Sequence, residues 1–233
     1  MHPLHAELLK EIKKHRGRGT TQSKSESYIL SGHPYYSIAV PIRRDIAKAW
    51  LKSHKDISSR EFIDTLDSLY AGKSHEEKTM ASNLLGYTPA HRTHVTTRDL
   101  DRWLDHLVGW AEVDSLCQNI FTADELLSNW GMWEKFIIKL SKDNNINKRR
   151  ASLVFLTGPV RSPDKRILAL AFAMCEALKH EKPILITKAI SWLLRNMVAT
   201  HKKEVRAYLS KTKDTLPKIA VRETTRKILT GRK

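Results

Sequence analysis

The middle of the chain reads Trp110-Ala-Glu-Val-Asp-Ser-Leu-Cys-Gln-Asn-Ile-Phe121. Its apolar side chains recur at the spacing of one face of an α-helix, at Val113, Leu116, Cys117 and Ile120. Trp110 and Asp114 are four residues apart, so they lie one above the other on the flank of that face. This position predicts a carboxylate with restricted access to water. Such an acid is either a packing detail or part of a reactive site.

Helical periodicity extends along almost the whole chain, and no segment alternates as a β-strand does. Serine or threonine stands three residues before glutamate at several predicted helix starts, which is the spacing of a capping box: Ser58–Glu61, Ser74–Glu77 and Thr122–Glu125. We therefore predict an all-α fold. The predicted helices cover residues 3–15, 23–31, 41–53, 58–71, 74–87, 96–108, 111–121, 123–141, 146–157, 163–180, 183–198, 202–211 and 216–229.

A repeat is superimposed on this pattern. Six segments that share a helical pattern but little sequence identity follow one another at intervals of 34 to 39 residues, and they begin at Ala39, His75, Glu112, Asn147, Ile186 and Ala220. This interval is the length of two helices and their turns, and arrays of such pairs are typical of HEAT-like solenoids. We predict a single domain over residues 1–233, a curved α-solenoid in which the second helix of each pair lines a concave face.

The net charge of the chain indicates which class of molecule it binds. Lys and Arg number 41 against 25 Asp and Glu, which gives a net charge of +16. This surplus favours nucleic acid as the partner over an anionic membrane surface. No run of about 20 apolar residues could span a bilayer, and the first residues lack the pattern of a secretory signal. We expect a soluble, cytoplasmic, DNA-associated monomer without membrane contact.

Neither a metal nor a cofactor is predicted. Cys117 and Cys175 lie in apolar helical patterns, which indicates buried, reduced thiols rather than a disulfide or a zinc site. His91 and His94 lie in a predicted loop, and two imidazoles without a third ligand indicate solvated side chains. The basic, glycine-containing stretch that starts at Arg16 lacks the ending of a phosphate-binding P-loop.

The predicted second helices carry cations near their starts, so the predicted concave face is basic. These cations are Arg43, Arg44, Lys78, Arg149, Arg150, Lys188 and Arg222, and Asp114 is the exception in sign. Farther along one helix, Lys188, Trp192 and Arg195 share a polar face, where an indole is costly to expose to water. Each of these residues also has a purely structural interpretation. Trp192 would then pack under the next repeat, and Arg150 would form an ion pair.

Four short elements at repeat spacing resemble the AlkD-type DNA glycosylases of the HEAT-repeat DNA alkylation repair group. They are Trp110-x-x-x-Asp114, Arg149-Arg150-Ala-Ser, Lys188-Ala-Ile-Ser-Trp192-Leu-Leu-Arg195 and Val221-Arg-Glu-Thr. The resemblance covers most of the chain. The sequence departs from the group at Ala111, where related proteins often have an acidic residue, and the loop Thr88–Thr97 has no counterpart. These departures concern the range of substrates more than the activity.

The resemblance implies a metal-free enzyme that hydrolyses N3- or N7-alkylated purine nucleotides in duplex DNA without extruding the base. It implies that Trp110, Asp114 and Trp192 surround the lesion nucleotide from the backbone side. It further implies that Arg150 supports the carboxylate or a phosphate, and that Tyr28 matches an aromatic residue that contacts the DNA backbone. The expected DNA contacts are Tyr28, Arg43, Arg44, Lys78, Arg149, Lys188, Arg195 and Arg222. A noncatalytic solenoid for bent or branched DNA and a protein-interaction scaffold stay open as alternatives.

Overall fold

The computed structural model describes residues 1–17, 31–118 and 120–232. Within these residues every regular element is helical and no strand occurs, so the all-α prediction is confirmed. Residues 23–30 of the helix predicted over 23–31, and with them Tyr28, lie outside the described residues, and Ser31 is not helical. The chain forms two compact units, Met1–Leu116 and Cys117–Lys233, and a single domain over 1–233 stays a prediction. None of the described helices is long and apolar enough to cross a membrane.

The first unit is built from helices that pack mainly against their neighbours in sequence. In chain order they are α1 (Pro3–Lys14), α2 (Val40–Ser53), α3 (Ser59–Tyr70), α4 (His75–Tyr87), α5 (Pro89–Arg92), α6 (Thr97–Leu104) and α7 (Gly109–Cys117). Helix α4 packs against α1, α2 and α3, while α6 packs against α3. The predicted second helices are α2, α4 and α7. A hydrogen bond of 2.9 Å between Ser82 and Ser115 joins α4 to α7.

The second unit repeats this arrangement. Its helices are α8 (Ala123–Ser128), α9 (Trp130–Ser141), α10 (Ile146–Val154), α11 (Lys165–Leu178), α12 (Ile184–Thr212) and α13 (Lys218–Thr230), with a 3₁₀ turn at Pro159–Arg161. Helix α10 packs against α9, α11 and α12, and α12 packs against α13. The predicted second helices of this unit are α10, the first part of α12, and α13.

The repeat register agrees with the prediction. The second helices begin at Val40, His75, Gly109, Ile146, Ile184 and Lys218, within three residues of the predicted starts and 34 to 38 residues apart. Local chemistry fixes several of these starts. Ser74 and Glu77 form a complete capping box at α4, and proline lies in the first turn of α2 and at the N-caps of α12 and α13.

The prediction of one helix over 123–141 was wrong. Asn129 leaves the helical conformation, with φ −135° and ψ 51°, and separates α8 from α9. Asparagine favours such a break because its amide competes for backbone hydrogen bonds. Beyond the break, α9 buries Trp133, Phe136 and Ile137.

Other boundaries also differ from the prediction, among them those of the helices predicted over 96–108 and 111–121, which end at Leu104 and Cys117. Residues Pro89–Arg92 form a helical turn, α5, where a loop was expected. Residues Ile184–Thr212 form one helix, in which the predicted gap between 198 and 202 survives as a kink at His201 (φ −120°, ψ 40°). The buried imidazole of His201 donates its Nε2 hydrogen to the Ser162 carbonyl at 2.8 Å. This bond ties the kink to the preceding helix pair.

Helix α4 is buried along most of its length, although many of its side chains are charged. Lys78 is 2% exposed, and its ammonium donates to the carbonyls of Tyr70 and Gly72 at 2.8 Å each. It therefore satisfies carbonyls at the end of α3. Gly72 also leaves room for Glu77 of α4, because a Cβ at position 72 would come within 2.6 Å of a Glu77 carboxylate oxygen.

Glu77 connects α4 to α1. Its carboxylate accepts hydrogen bonds from the Ser74 backbone N–H and from His5 Nε2, both at 2.8 Å. Burial alone would raise the pKa of Glu77, but the hydrogen bonds from His5 and Ser74 outweigh it and lower the pKa from 4.5 to about 2. Glu77 is therefore an ionised group whose partners come from two helices.

Glu77→Gln tests this pairing through the pH dependence of folding. Since the pKa of Glu77 is lowered by folding, its stabilising effect is complete above about pH 4.5 and is lost as the pH falls towards about 2. We expect the variant to be about 2 kcal/mol less stable than the parent at neutral pH, and the difference to shrink through that window. Urea unfolding followed by circular dichroism measures it. Glu61→Gln, at an exposed position in α3, is the control, and a difference that is independent of pH would contradict the pairing.

Candidate active site

Helix α7 places an indole and a carboxylate one turn apart. Asp114 is 9% exposed, and Trp110 is partly exposed. Val113 and Leu116 are fully buried, so Asp114 lies beside the apolar face of the helix, as its sequence position predicted. A carboxylate with this little contact to water interacts strongly with a nearby positive charge. The indole one turn away offers such a charge an aromatic face.

Two adjacent arginines of α10 have different surroundings. Arg150 is buried, and its Nη1 donates to the Leu185 carbonyl in the first turn of α12. Arg149 is partly exposed and forms an ion pair with Glu181, with N–O distances of 2.7 and 3.2 Å. It also donates to two backbone carbonyls before α10. Arg150 is thus more buried, and Glu181 balances the charge of Arg149.

Trp192 lies on α12 between two cations. Lys188 is exposed one turn before it, and Trp192 itself is partly exposed. Arg195, one turn after it, donates its Nε hydrogen to the Ser191 carbonyl at 3.2 Å and lies 3.4 Å from a carboxylate oxygen of Glu223 on α13. The predicted shared polar face of α12 is therefore present.

A basic cleft lies between α12 and α13. It has a volume of about 400 Å³ and is lined by Arg195, Arg222, Glu223 and Arg226. Arg222 is 75% exposed, and its guanidinium lies 4.0 Å from Glu223. Ser191 Oγ donates to Glu223 at 2.6 Å and fixes the carboxylate. One carboxylate among three guanidinium groups leaves an excess of positive charge, which suits a phosphate.

Two predicted DNA contacts point into the protein instead. Arg43 is buried, and its Nη1 donates to Thr79 Oγ1 at 2.6 Å. Lys78 is the buried ammonium at the end of α3 described above. Both side chains are used by neighbouring helices, so we do not retain them as phosphate contacts. Arg44, the next residue after Arg43, is exposed.

No candidate metal centre emerges. Among residues 1–17, 31–118 and 120–232, no group of three or more potential ligands of the His, Cys, Asp or Glu type could hold an ion. Cys117 and Cys175 are buried free thiols, as predicted, and burial raises the pKa of Cys175. His94 is exposed, as expected, while His91 is partly exposed and stacks on Phe62 with ring centroids 4.7 Å apart.

Comparison with known proteins shows to which family the chain is related. The model of the DNA alkylation repair enzyme family matches residues 8–228. The chain belongs to this family. A solved structure described as a "Predicted DNA alkylation repair enzyme from Enterococcus faecalis" superposes with a TM-score of 0.75 and 16% identity, over 89% of this chain and 94% of that chain. At this identity, the superposition supports the fold. No significant match was found among proteins of curated function.

Sequence reasoning missed several side chains of this DNA alkylation repair family member. Arg226 was overlooked, although it follows Arg222 by one turn and therefore shares its helix face. Glu223 was quoted only as part of a motif, and nothing local indicated its contact with Arg195. The burial of Glu112 could have been predicted, because it precedes Leu116 by one turn and therefore faces the core. A carboxylate at such a position needs partners.

Proposed function

We propose that this protein is a DNA glycosylase that releases N3- or N7-alkylated purines from duplex DNA. The observation that carries the proposal is the nearly buried carboxylate of Asp114, one turn after the partly exposed indole of Trp110. Membership of the DNA alkylation repair enzyme family supports DNA as the substrate. The net charge of +16 supports it independently.

Release of a cationic base requires few catalytic groups. Alkylation at N3 or N7 makes the purine cationic, so the base can leave with the bonding electrons and needs no proton from a general acid. As the glycosidic bond breaks, positive charge develops on the deoxyribose, and water then forms the new bond to its C1′ carbon. The catalytic task is to stabilise that charge and to direct the water. The expected substrates are therefore lesions that carry a positive charge.

We assign both tasks to Asp114. A fixed carboxylate stabilises the developing charge most strongly where water is scarce, and 9% exposure provides such surroundings. The same carboxylate can accept a hydrogen from the attacking water and deprotonate it. The proposed hydrolysis therefore does not require a metal ion.

Trp110 supplies an aromatic face one turn before Asp114, and the family resemblance implies a second aromatic face at Trp192. An indole face stabilises a nearby cation and limits the number of water molecules around it. Both indoles are partly exposed, so substrate can reach them. Binding from the backbone side leaves the base stacked in the duplex, unlike the extrusion used by most enzymes that modify bases. Bulky alkyl groups would then be tolerated.

Binding is assigned to the cations that face solvent. Lys188 and Arg44 are exposed, and Arg222 and Arg226 flank the basic cleft. Arg149 contributes less, because Glu181 balances its charge. Arg150 connects α10 to the start of α12 through Leu185, and we assign it a positioning role.

Asp114→Asn is the direct test of the proposal. The amide keeps the size of the side chain but removes the charge, so we expect the rate of 7-methylguanine release to fall by about a hundredfold or more. Affinity for undamaged duplex should change little. Chromatography of the free base measures the rate under single-turnover conditions. Asp64→Asn, at an exposed position of α3, is the control and should retain full activity.

Three results would separate the alternatives. Undiminished release by Asp114→Asn would remove the assigned mechanism. A parent protein that binds duplex DNA but releases no alkylated purine would be a noncatalytic DNA-binding protein. A parent protein with negligible affinity for duplex DNA at low salt would be a protein-interaction scaffold.

The basic cleft predicts a change in the salt dependence of DNA binding. Each phosphate contact releases counterions, so removing Arg222 and Arg226 together by alanine substitution should lower the slope of log affinity against log salt by about 1 to 2. Fluorescence anisotropy at several salt concentrations measures this slope. The matched control is the double variant Lys202→Ala/Lys203→Ala, which removes two exposed charges from the second part of α12. Equal slopes in the two double variants would contradict a phosphate site in the cleft.

A further inference from the structure

Glu112 has no part in the proposed reaction, yet it lies between the two proposed reactive residues of α7. Its carboxylate is 0% exposed. Trp110 precedes it by two residues, and Asp114 follows it by two. A fully buried ionised carboxylate is costly unless several donors surround it.

Among the described residues, Val108, His33 and His75 place N–H groups around this carboxylate. The backbone N–H of Val108, directly before α7, donates to Glu112 Oε2 at 3.0 Å. His33 Nδ1 lies 3.0 Å from both carboxylate oxygens, and His75 Nδ1 lies 3.3 Å from Oε1. Burial would raise the pKa of Glu112, but hydrogen bonds from His75, Val108 and His33 lower it. The carboxylate is therefore ionised and held from three directions.

The tautomer of His75 follows from its contact with Arg43. Arg43 Nη1 lies 3.2 Å from His75 Nε2. A guanidinium group can only donate, so Nε2 must accept and carries no hydrogen. The hydrogen of the neutral ring is then on Nδ1, which donates it to Glu112. Arg43 thus sets the tautomer of His75, and His75 presents an N–H to the carboxylate on α7.

These contacts fix the start of α7 from outside the helix. Val108 lies beside Gly109, whose φ of 76° begins the helix. His75 belongs to α4, and His33 belongs to the segment before α2. Trp110 and Asp114 are carried by the two helical turns that Glu112 anchors. Reaction rates depend steeply on placement, and an error of about 1 Å can cost a hundredfold.

We infer that Glu112, His75 and His33 are positioning residues, which hold the first turns of α7 and thereby orient Trp110 and Asp114. The inference rests on the proposed function for its kinetic consequence. Its structural consequence can be measured in the free protein. These residues lie in one compact unit, Met1–Leu116.

Glu112→Gln is the central variant. One carboxylate oxygen becomes an NH₂ group that faces N–H donors, so the pairing with His75, His33 or Val108 is lost. We expect kcat for release of 7-methylguanine to fall about tenfold, with KM changed less than about twofold because binding is assigned elsewhere. Amide hydrogen exchange across Trp110–Leu116 should become about tenfold faster in the free protein.

The matched control is Glu76→Gln. Glu76 is equally buried, but it accepts from the backbone N–H groups of Tyr36 and Ile38 rather than from α7. A purely structural role for buried carboxylates predicts the same loss in both variants. The positioning role predicts that kcat and exchange in α7 change only in Glu112→Gln, when both are measured where each variant is fully folded.

A pair of substitutions at His33 tests for rescue. His33 is 26% exposed, so its replacement disturbs packing little. Asparagine places an N–H donor where the imidazole has Nδ1, whereas alanine removes it. We expect His33→Asn to retain at least about half of the parent kcat and His33→Ala to fall severalfold.

Each outcome decides one question. If the parent protein releases base but Glu112→Gln matches it in kcat and in α7 exchange, the positioning role is wrong while the proposed function stands. If the parent releases no base, the proposed function fails. In that case amide hydrogen exchange in α7 tests the positioning role by itself. Unchanged exchange in Glu112→Gln contradicts the role, and faster exchange supports it.

Discussion

Charged side chains inside the first unit must each meet a partner, and this requirement shapes the surroundings of the proposed reactive residues. Glu77 binds His5, Lys78 binds carbonyls of α3, and Glu112 binds His33 and His75. Breaking one such pair leaves a desolvated charge, which costs more than an average contact. The pairs therefore fix α1, α3 and α7 relative to α4. Asp114 lies on α7, the helix that contacts with His75 and Ser82 hold against α4.

In the second unit, two partly exposed carboxylates lie beside arginines, Glu181 beside Arg149 and Glu223 beside Arg195. A carboxylate in this position holds guanidinium groups in place and reduces their mutual repulsion. The remaining positive charge is available to an anionic partner. The buried pairs of the first unit thus maintain internal order, and the basic cleft of the second unit presents positive charge to solvent.

The repeat explains why much of the fold was predictable. Helix class and helix starts depend on local features, namely apolar periodicity, capping residues and proline. The second helices accordingly began within three residues of their predicted starts. The break at Asn129 was missed because the apolar pattern continues across it. The kink at His201 was anticipated as a gap, but its bond to Ser162 was not.

The sequence by itself determined the all-α class, the repeat interval, the resemblance to DNA alkylation repair enzymes and the place of Asp114 beside an apolar helix face. These properties are set by residues within a few turns of one another. Only the tertiary structure decided that Arg43 and Lys78 point inward, that Glu223 lies among arginines, and that His33 approaches Glu112 across 79 residues of chain. Partners on other helices decide whether a charged side chain is bound inside or faces water, and helical periodicity carries no information about those partners.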